Sequence, residues 1–274
     1  ISLDGSAPKK HTDDIVIALA GNPNVGKSTV FNALTGMNQH TGNWTGKTVA
    51  TACGAFTRNG KNYITVDLPG TYSLFTHSVE EEVARDFILS GNADACITVC
   101  DATCLERNLN LVLQIIEITP RTVVCINLMD EARRKKICVD IPALARELGV
   151  PVVGTSARSG KGLDKLIDAV DSLISKNPTP LEPVHYGSGI EEALQILAPA
   201  LEGISSHPRR DALRILSGES EAPEKAQEAA ESADEVIDRY GLTQEMIRDK
   251  AAVAAVMRAE EIYKKCVTAD RQHS

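Results

Sequence analysis

Gly21-Asn22-Pro23-Asn24-Val25-Gly26-Lys27-Ser28 reads G-x-x-x-x-G-K-S, the spacing of a phosphate-binding loop. Its flanks decide how it is read. Ile15-Val16-Ile17-Ala18-Leu19-Ala20 before it is an apolar run of strand length, and Thr29-Val30-Phe31-Asn32-Ala33-Leu34 after it opens a helical pattern. Strand, glycine loop and helix is the context the motif requires. Gly21 and Gly26 let the backbone curl until its N–H groups converge on phosphate oxygens, and the helix N-terminus adds its positive end. Lys27 is expected to reach the β- and γ-phosphates, and the Ser28 hydroxyl to meet Mg²⁺.

Working outward, strand-like runs alternate with helical patterns from residue 15 to about 175, which predicts an α/β doubly wound sheet. Strands are expected near 15–20, 49–57, 61–67, 94–100, 121–126 and 151–154. Helices are expected near 27–36, 80–90, 105–118, 140–149 and 162–175. Only Arg58-Asn59-Gly60 joins the second and third strands. That connection permits only an antiparallel hairpin, so the sheet is mostly parallel with one antiparallel pair.

Three further motifs follow at strand ends, where open sheets bind ligands. Asp67-Leu68-Pro69-Gly70 follows Tyr63–Val66. Asp67 can hold Mg²⁺ through water, and Gly70 can offer its N–H to a γ-phosphate. Asn127-Leu128-Met129-Asp130 follows Val123–Ile126. A carboxylate at Asp130 can accept both donors of the guanine N1–N2 edge, a pair that adenine lacks, and Asn127 would tie the loop and contact N7. Thr155-Ser156-Ala157 follows Val152-Val153, and the Ala157 N–H would meet guanine O6.

G-x-x-x-x-G-K-S, D-x-P-G, N-x-x-D and S-A, in that order, resemble the translation-factor-related small GTPases. That likeness implies a Ras-like P-loop fold and nucleotide contacts along residues 21–29, with Thr29 included. Leu128 departs from it, standing where the common form has Lys. A closer resemblance lies in His40-Thr41-Gly42-Asn43-Trp44-Thr45-Gly46-Lys47-Thr48-Val49 and in the D-L-P-G-T-Y-S-L run of 67–74. With the loop they resemble the FeoB family of bacterial ferrous iron transporters, whose cytosolic N-terminus is a GTPase.

The resemblance implies roles by position. Thr48 would join Mg²⁺ with Ser28 and Asp67. Residues 37–48 would form the first switch and 70–80 the second. Asn24 would ligate K⁺, with backbone carbonyls near Gly42 and Trp44; the residue alone equally suits a loop position that satisfies its own backbone. Asn24, Lys27, Thr48 and Gly70 would carry catalysis. Thr71 stands where Ras-like enzymes place the water-orienting Gln, which implies slow hydrolysis or another device. The resemblance also implies GTP/GDP, Mg²⁺ and K⁺ as cofactors, and a place on the cytoplasmic face of the inner membrane. Its implied partners are the family's own transmembrane iron-permeation domain and small accessory proteins, with homo-oligomers a further expectation.

Lys176-Asn177-Pro178-Thr179-Pro180 opens a proline-rich linker. The expected order is a disordered lead-in (1–14), a GTPase domain (15–175), a linker (176–188) and a small all-α, GDI-like domain (189–274). Helices are expected there near 189–203, 209–217, 221–239 and 243–267. The N-terminus lacks the basic-then-apolar plan of a signal peptide, and no apolar run is long enough to span a bilayer. The chain therefore reads as a cytosolic portion without the family's pore.

The 274 residues carry a net charge of −8, and 181–274 hold 18 acidic against 11 basic residues. An acidic back half argues against a nucleic-acid partner. Seven cysteines form no short-loop framework, and Cys96, Cys100 and Cys104 read as core positions rather than a metal site.

Overall fold

The structure, a computed structural model, describes residues 13–36, 39–43, 49–74, 78–175, 184–205 and 207–269. The chain divides into two compact units, one of residues 1–181 with 259–274, the other of 182–258.

In the first unit, β1 (Ile15–Gly21) leads into α1 (Lys27–Thr35), followed by β2 (Gln39–Asn43), β3 (Ala50–Arg58) and β4 (Lys61–Asp67). Then come α2 (Val79–Leu89), β5 (Ala95–Asp101), α3 (Leu105–Ile118), β6 (Thr122–Asn127) and α4 (Met129–Arg134). β7 (Ile137–Val139), α5 (Ile141–Leu148), β8 (Val152–Gly154) and α6 (Leu163–Ile174) complete the alternation. The main sheet runs β2-β3-β4-β1-β5-β6-β8. β1 pairs parallel with β4 and β5, and β5–β6 and β6–β8 are parallel. β3–β4 is the expected antiparallel hairpin, with Asn59 (φ 51°) and Gly60 (φ 76°) supplying the two positive-φ positions of its turn.

All six expected strands are present in this Ras-like sheet, and β2 adds a seventh. Its polar, glycine-containing Gln-His-Thr-Gly-Asn carries little strand propensity, and its place at the sheet edge comes from pairing with β3. Within residues 37–48, expected as the first switch, the backbone of 39–43 is an edge strand with Gly42 opposite Thr51.

Side chains leave β1 alternately to both faces. Val16, Ala18 and Ala20 join Val83, Phe87, Leu111 and Ile115 from α2 and α3. Ile17 and Leu19 join Val30, Phe31, Leu166 and Val170 from α1 and α6. A sheet covered on both faces needs near-continuous apolar strands, and every residue from Val16 to Gly21 is buried. Phe31 and Leu166, at 1% and 0% exposure, each contribute roughly 1.5–3 kcal/mol by leaving water. Cys96 and Cys100 are buried as expected, whereas Cys104, at the N-cap before α3, is exposed, because the strand ends at Asp101.

The second unit holds α7 (Ser188–Ala200), α8 (Pro208–Leu216), α9 (Gln227–Arg239) and the first part of α10 (Gln244–Cys266). Ile190, Leu194, Leu197 and Leu201 recur at helical spacing and close on Ala212, Leu216, Ala233, Val236 and Ile247. Its division differs from the expected 189–274. Ala259, Ile262 and Cys266 of α10 are buried with Leu144 and Leu148 of α5, and β9 (Val267–Ala269) pairs antiparallel with β7. The end of α10 carries apolar side chains that the first unit buries, a register that periodicity alone did not separate from the rest of the helix. Among the described residues, no helix is long and apolar enough to cross a membrane.

Candidate functional site

The sheet order reverses about β1, so the loop after β1 opens into the crevice at the strands' carboxyl ends. Gly21 ends the strand where a Cβ would lie 2.5 Å from the Val99 carbonyl oxygen. Gly26 caps α1 at φ 82°, and a Cβ there would lie 2.5 Å from Asn127 Nδ2. Asn24 holds φ 66° and is exposed, a left-handed conformation that asparagine tolerates. No side chain caps α1, and its first turn carries no acidic residue. Its leading N–H groups face the loop with no acidic side chain of the helix's own first turn beside them, which suits an anion.

Lys27 and Asp67 are paired here, 12% and 16% exposed. Burial raises the Asp67 carboxyl above its usual range, and the Lys27 ammonium only partly offsets this. The cation expected at the phosphates and the carboxylate expected at the metal thus neutralise each other. Ser28 and Thr29 stand exposed at the start of α1. Gly70 abuts the loop, since a Cβ on it would lie 3.3 Å from Pro23 Cα. Thr71 is 4% exposed, and its N–H donates to the Gly21 carbonyl at 3.3 Å. The Thr71 side chain is thus buried at the position where Ras-like enzymes place the water-orienting Gln.

The other half of the site turns on Asn127, 1% exposed at the end of β6. Its Nδ2 donates to the Val25 carbonyl at 3.2 Å. Its Oδ1 accepts from Thr155 Oγ1 at 3.2 Å and from the Ala157 N–H at 3.1 Å. One side chain therefore ties the phosphate loop to both base-side loops. The Ala157 N–H, expected from the sequence to meet guanine O6, donates here to Asn127 Oδ1. A buried amide carbonyl must find donors, and Ala157 is placed to supply one. Leu128 (φ 61°) turns the chain into α4, where the Met129 N–H donates to the Thr155 carbonyl and the Asp130 N–H to Ser156 Oγ. Burial alone would raise the Asp130 carboxyl. The Ser156 hydroxyl, the N–H groups of 130 and 131, and Arg134 at 3.5 Å together hold it below its usual range. It is ionised and 55% exposed, as an acceptor for a base edge needs to be.

Thr48 and Trp44 lie outside the described residues. Of the expected K⁺ set, Asn24 is on the loop and Gly42 in β2. Sequence reasoning missed Gln114, a buried mid-helix polar residue whose partners lie in the 67–74 run.

A sequence model of the family described as "Ferrous iron transport protein B" matches residues 15–170. The Fe(2+) transporter FeoB of Salmonella typhimurium is 39% identical over 231 residues, covering 82% of this chain and 30% of that protein. The chain thus spans about a third of the length of the curated relatives it matches. Among solved structures, the cytosolic domain of the T. maritima FeoB iron transporter superposes with TM-score 0.80 in a GDP form and 0.77 in a GMPPNP form. The two are 33% and 34% identical, and each comparison covers 93% of this chain and 100% or 99% of the other. Motifs, fold and relatives agree, and the chain belongs to the ferrous iron transport protein B family.

Proposed function

We propose that this chain is the guanine-nucleotide-binding, GTP-hydrolysing cytosolic portion of a ferrous iron transporter, acting on a transmembrane permeation domain. The observation that carries the nucleotide reading is Asn127: one buried amide locks the glycine loop to the two loops expected to read the base. Phosphate and base recognition are thereby held in one frame, and Asp130 selects guanine. On arrival of the phosphates, Lys27 exchanges Asp67 for phosphate oxygens.

Ser28 hydroxyl and Asp67 carboxylate are hard oxygen donors of the kind Mg²⁺ takes, and Thr48 would complete the set. The ion supplies charge neutralisation at the β- and γ-phosphates when bound. Water attacks the γ-phosphorus in line, the bond to the β–γ bridging oxygen breaks, and GDP leaves with that electron pair. Gly70 donates its N–H to the γ-phosphate. Thr71, not Gln, stands buried at the water-orienting position. The Asn24 amide oxygen, with backbone oxygens near Gly42 and Trp44, would instead hold a K⁺ that stabilises developing charge.

The test is GTP hydrolysis at fixed ionic strength in K⁺ against Na⁺, with Asn24→Ala alongside. The expected result is a severalfold higher rate in K⁺ that the substitution abolishes. Equal rates in both salts would remove the K⁺ site. The enclosed Thr71 favours a second reading, a nucleotide-gated switch whose turnover is incidental; it gains if GTP binds tightly while hydrolysis stays slow in both salts.

A further inference from the structure

The segment from Thr71 to Leu74 has no strand or helix to satisfy its backbone, so its hydrogen bonds need separate partners. At one end the Thr71 N–H reaches the Gly21 carbonyl. At the other, the buried Leu74 N–H donates to Gln114 Oε1 at 2.7 Å, and Ser73 Oγ lies 3.2 Å from the same atom. A backbone N–H can only donate, so the Gln114 oxygen, not its nitrogen, faces the segment. Gln114 is 4% exposed on α3. Arg107 and Asn110 share its stripe at helical spacing. The Arg107 guanidinium stands 5.8 Å from the Tyr72 ring centre. Tyr72 is 53% exposed, so that contact is weak. The Asn110 Oδ1 is buried with no partner among the described residues and takes none of the segment's donors.

We propose that Gln114 is a positioning residue for GTP recognition. It anchors Ser73 and Leu74, and across three residues it fixes how closely Gly70 approaches the phosphate loop. This rests on the guanine-nucleotide reading above. Gln114 touches no nucleotide; it acts through the Gly70 N–H. Because GDP lacks the γ-phosphate that Gly70 would meet, losing Gln114 weakens binding of a GTP analogue more than binding of GDP. Only such a difference in affinity can bias the segment between states.

The experiment compares GDP and GMPPNP dissociation constants, with Mg²⁺, for the wild-type chain and for Gln114→Leu, Gln114→Glu and Asn110→Ala, with thermal melts alongside. Gln114→Leu is expected to weaken GMPPNP by about tenfold, the scale of one lost buried hydrogen bond, with GDP within about twofold. Gln114→Glu keeps the acceptor and retains the wild-type ratio; Asn110→Ala retains it as well. Both affinities falling together with the melting temperature would show a structural role only and overturn the inference. So would a Gln114→Glu that behaves like the leucine. Should leucine not fold, Gln114→Met keeps the length and carries the same comparison. Wild-type protein that bound neither nucleotide would bring down the guanine reading and this inference with it. Wild-type binding with an unchanged ratio in Gln114→Leu overturns this inference alone.

Discussion

The two ends of the site are built on opposite principles. At the base end, Asn127 is buried and three neutral hydrogen bonds satisfy it. At the phosphate end, a lysine and a half-buried carboxylate hold each other, and burial still works against the carboxylate. The first arrangement is closed within the chain itself. The second is a provisional contact between two groups that the ligand would separate. On the proposed function only the phosphate end has to distinguish two nucleotides, which suits a fixed network at one end and a replaceable ion pair at the other.

The largest effect should come from cutting the tie. Asn127→Ala takes the side-chain partner from the Val25 carbonyl and from the buried Ala157 N–H, while the Thr155 hydroxyl keeps only Cys125 Sγ at 3.2 Å. A loss of about 3 kcal/mol is expected by denaturant titration, together with loss of guanine-nucleotide binding. A stable variant that still bound GDP would mean that the base end is not organised by this residue. Gly26→Ala attacks the same tie from the other side. It forces a left-handed φ on a residue with a Cβ and drives that Cβ into Asn127 Nδ2. A cost of about 1–3 kcal/mol follows from the backbone, and GDP affinity should fall with it.

Glycine spacing made Gly21 and Gly26 legible, because a backbone need is written in residue type. α3 was legible to both ends, since ten of its side chains are buried and its period is clear. β2, β7, α4 and β9 were not. β7 and β9 are three residues each and α4 six, too short for a period to show, and β2 owes its place to a neighbour. At the site, the four motifs announced which residues assemble. Which donor meets which acceptor was hidden, as Ala157 shows: its N–H goes to Asn127 because two strand ends meet in space. Gln114 was hidden for the same reason. A glutamine inside an apolar helix carries no mark of the segment it serves.

The contrast between the ends sharpens in their pH dependence. A carboxyl raised in the folded state favours folding in its protonated form, so that contribution is present at low pH and lost as pH rises through the folded value. Asp67 is of this kind. A lowered carboxyl does the reverse: its contribution is present above the unfolded pKa and lost as pH falls through the folded one. Asp130 is of this kind. Asp67→Asn should therefore gain stability relative to wild type as pH rises from about 3 to 7, while Asp130→Asn should lose it over the same range. Denaturant titrations across that range would read both signs. Parallel trends for the two variants would erase the distinction drawn between the ends.

The smallest expected effect tests how far the phosphate end reaches. Asp67 ends β4, and the other end of the β3–β4 hairpin is held to α6 by Arg58 on Asp168 at 2.7 Å, with Tyr63 and Lys61 on Asp171. Burial, then the bond to Asp171, push the Tyr63 phenol up to about 12, so that contact stays a neutral O–H donation to a carboxylate. Asp168 is 62% exposed, and screened pairs of this sort are worth less than about 1 kcal/mol. Arg58→Ala should cost no more than that and leave nucleotide affinity unchanged. The paired strand between the two points is already fixed by its ladder and by a buried Tyr63 stacked 4.8 Å from Phe56. A fall in GTP-analogue affinity in this variant would show that the provisional ion pair at Asp67 is poised by the whole hairpin rather than by its immediate neighbours. The phosphate end would then extend to the far end of the β3–β4 strands, while the base end stayed confined to one buried amide.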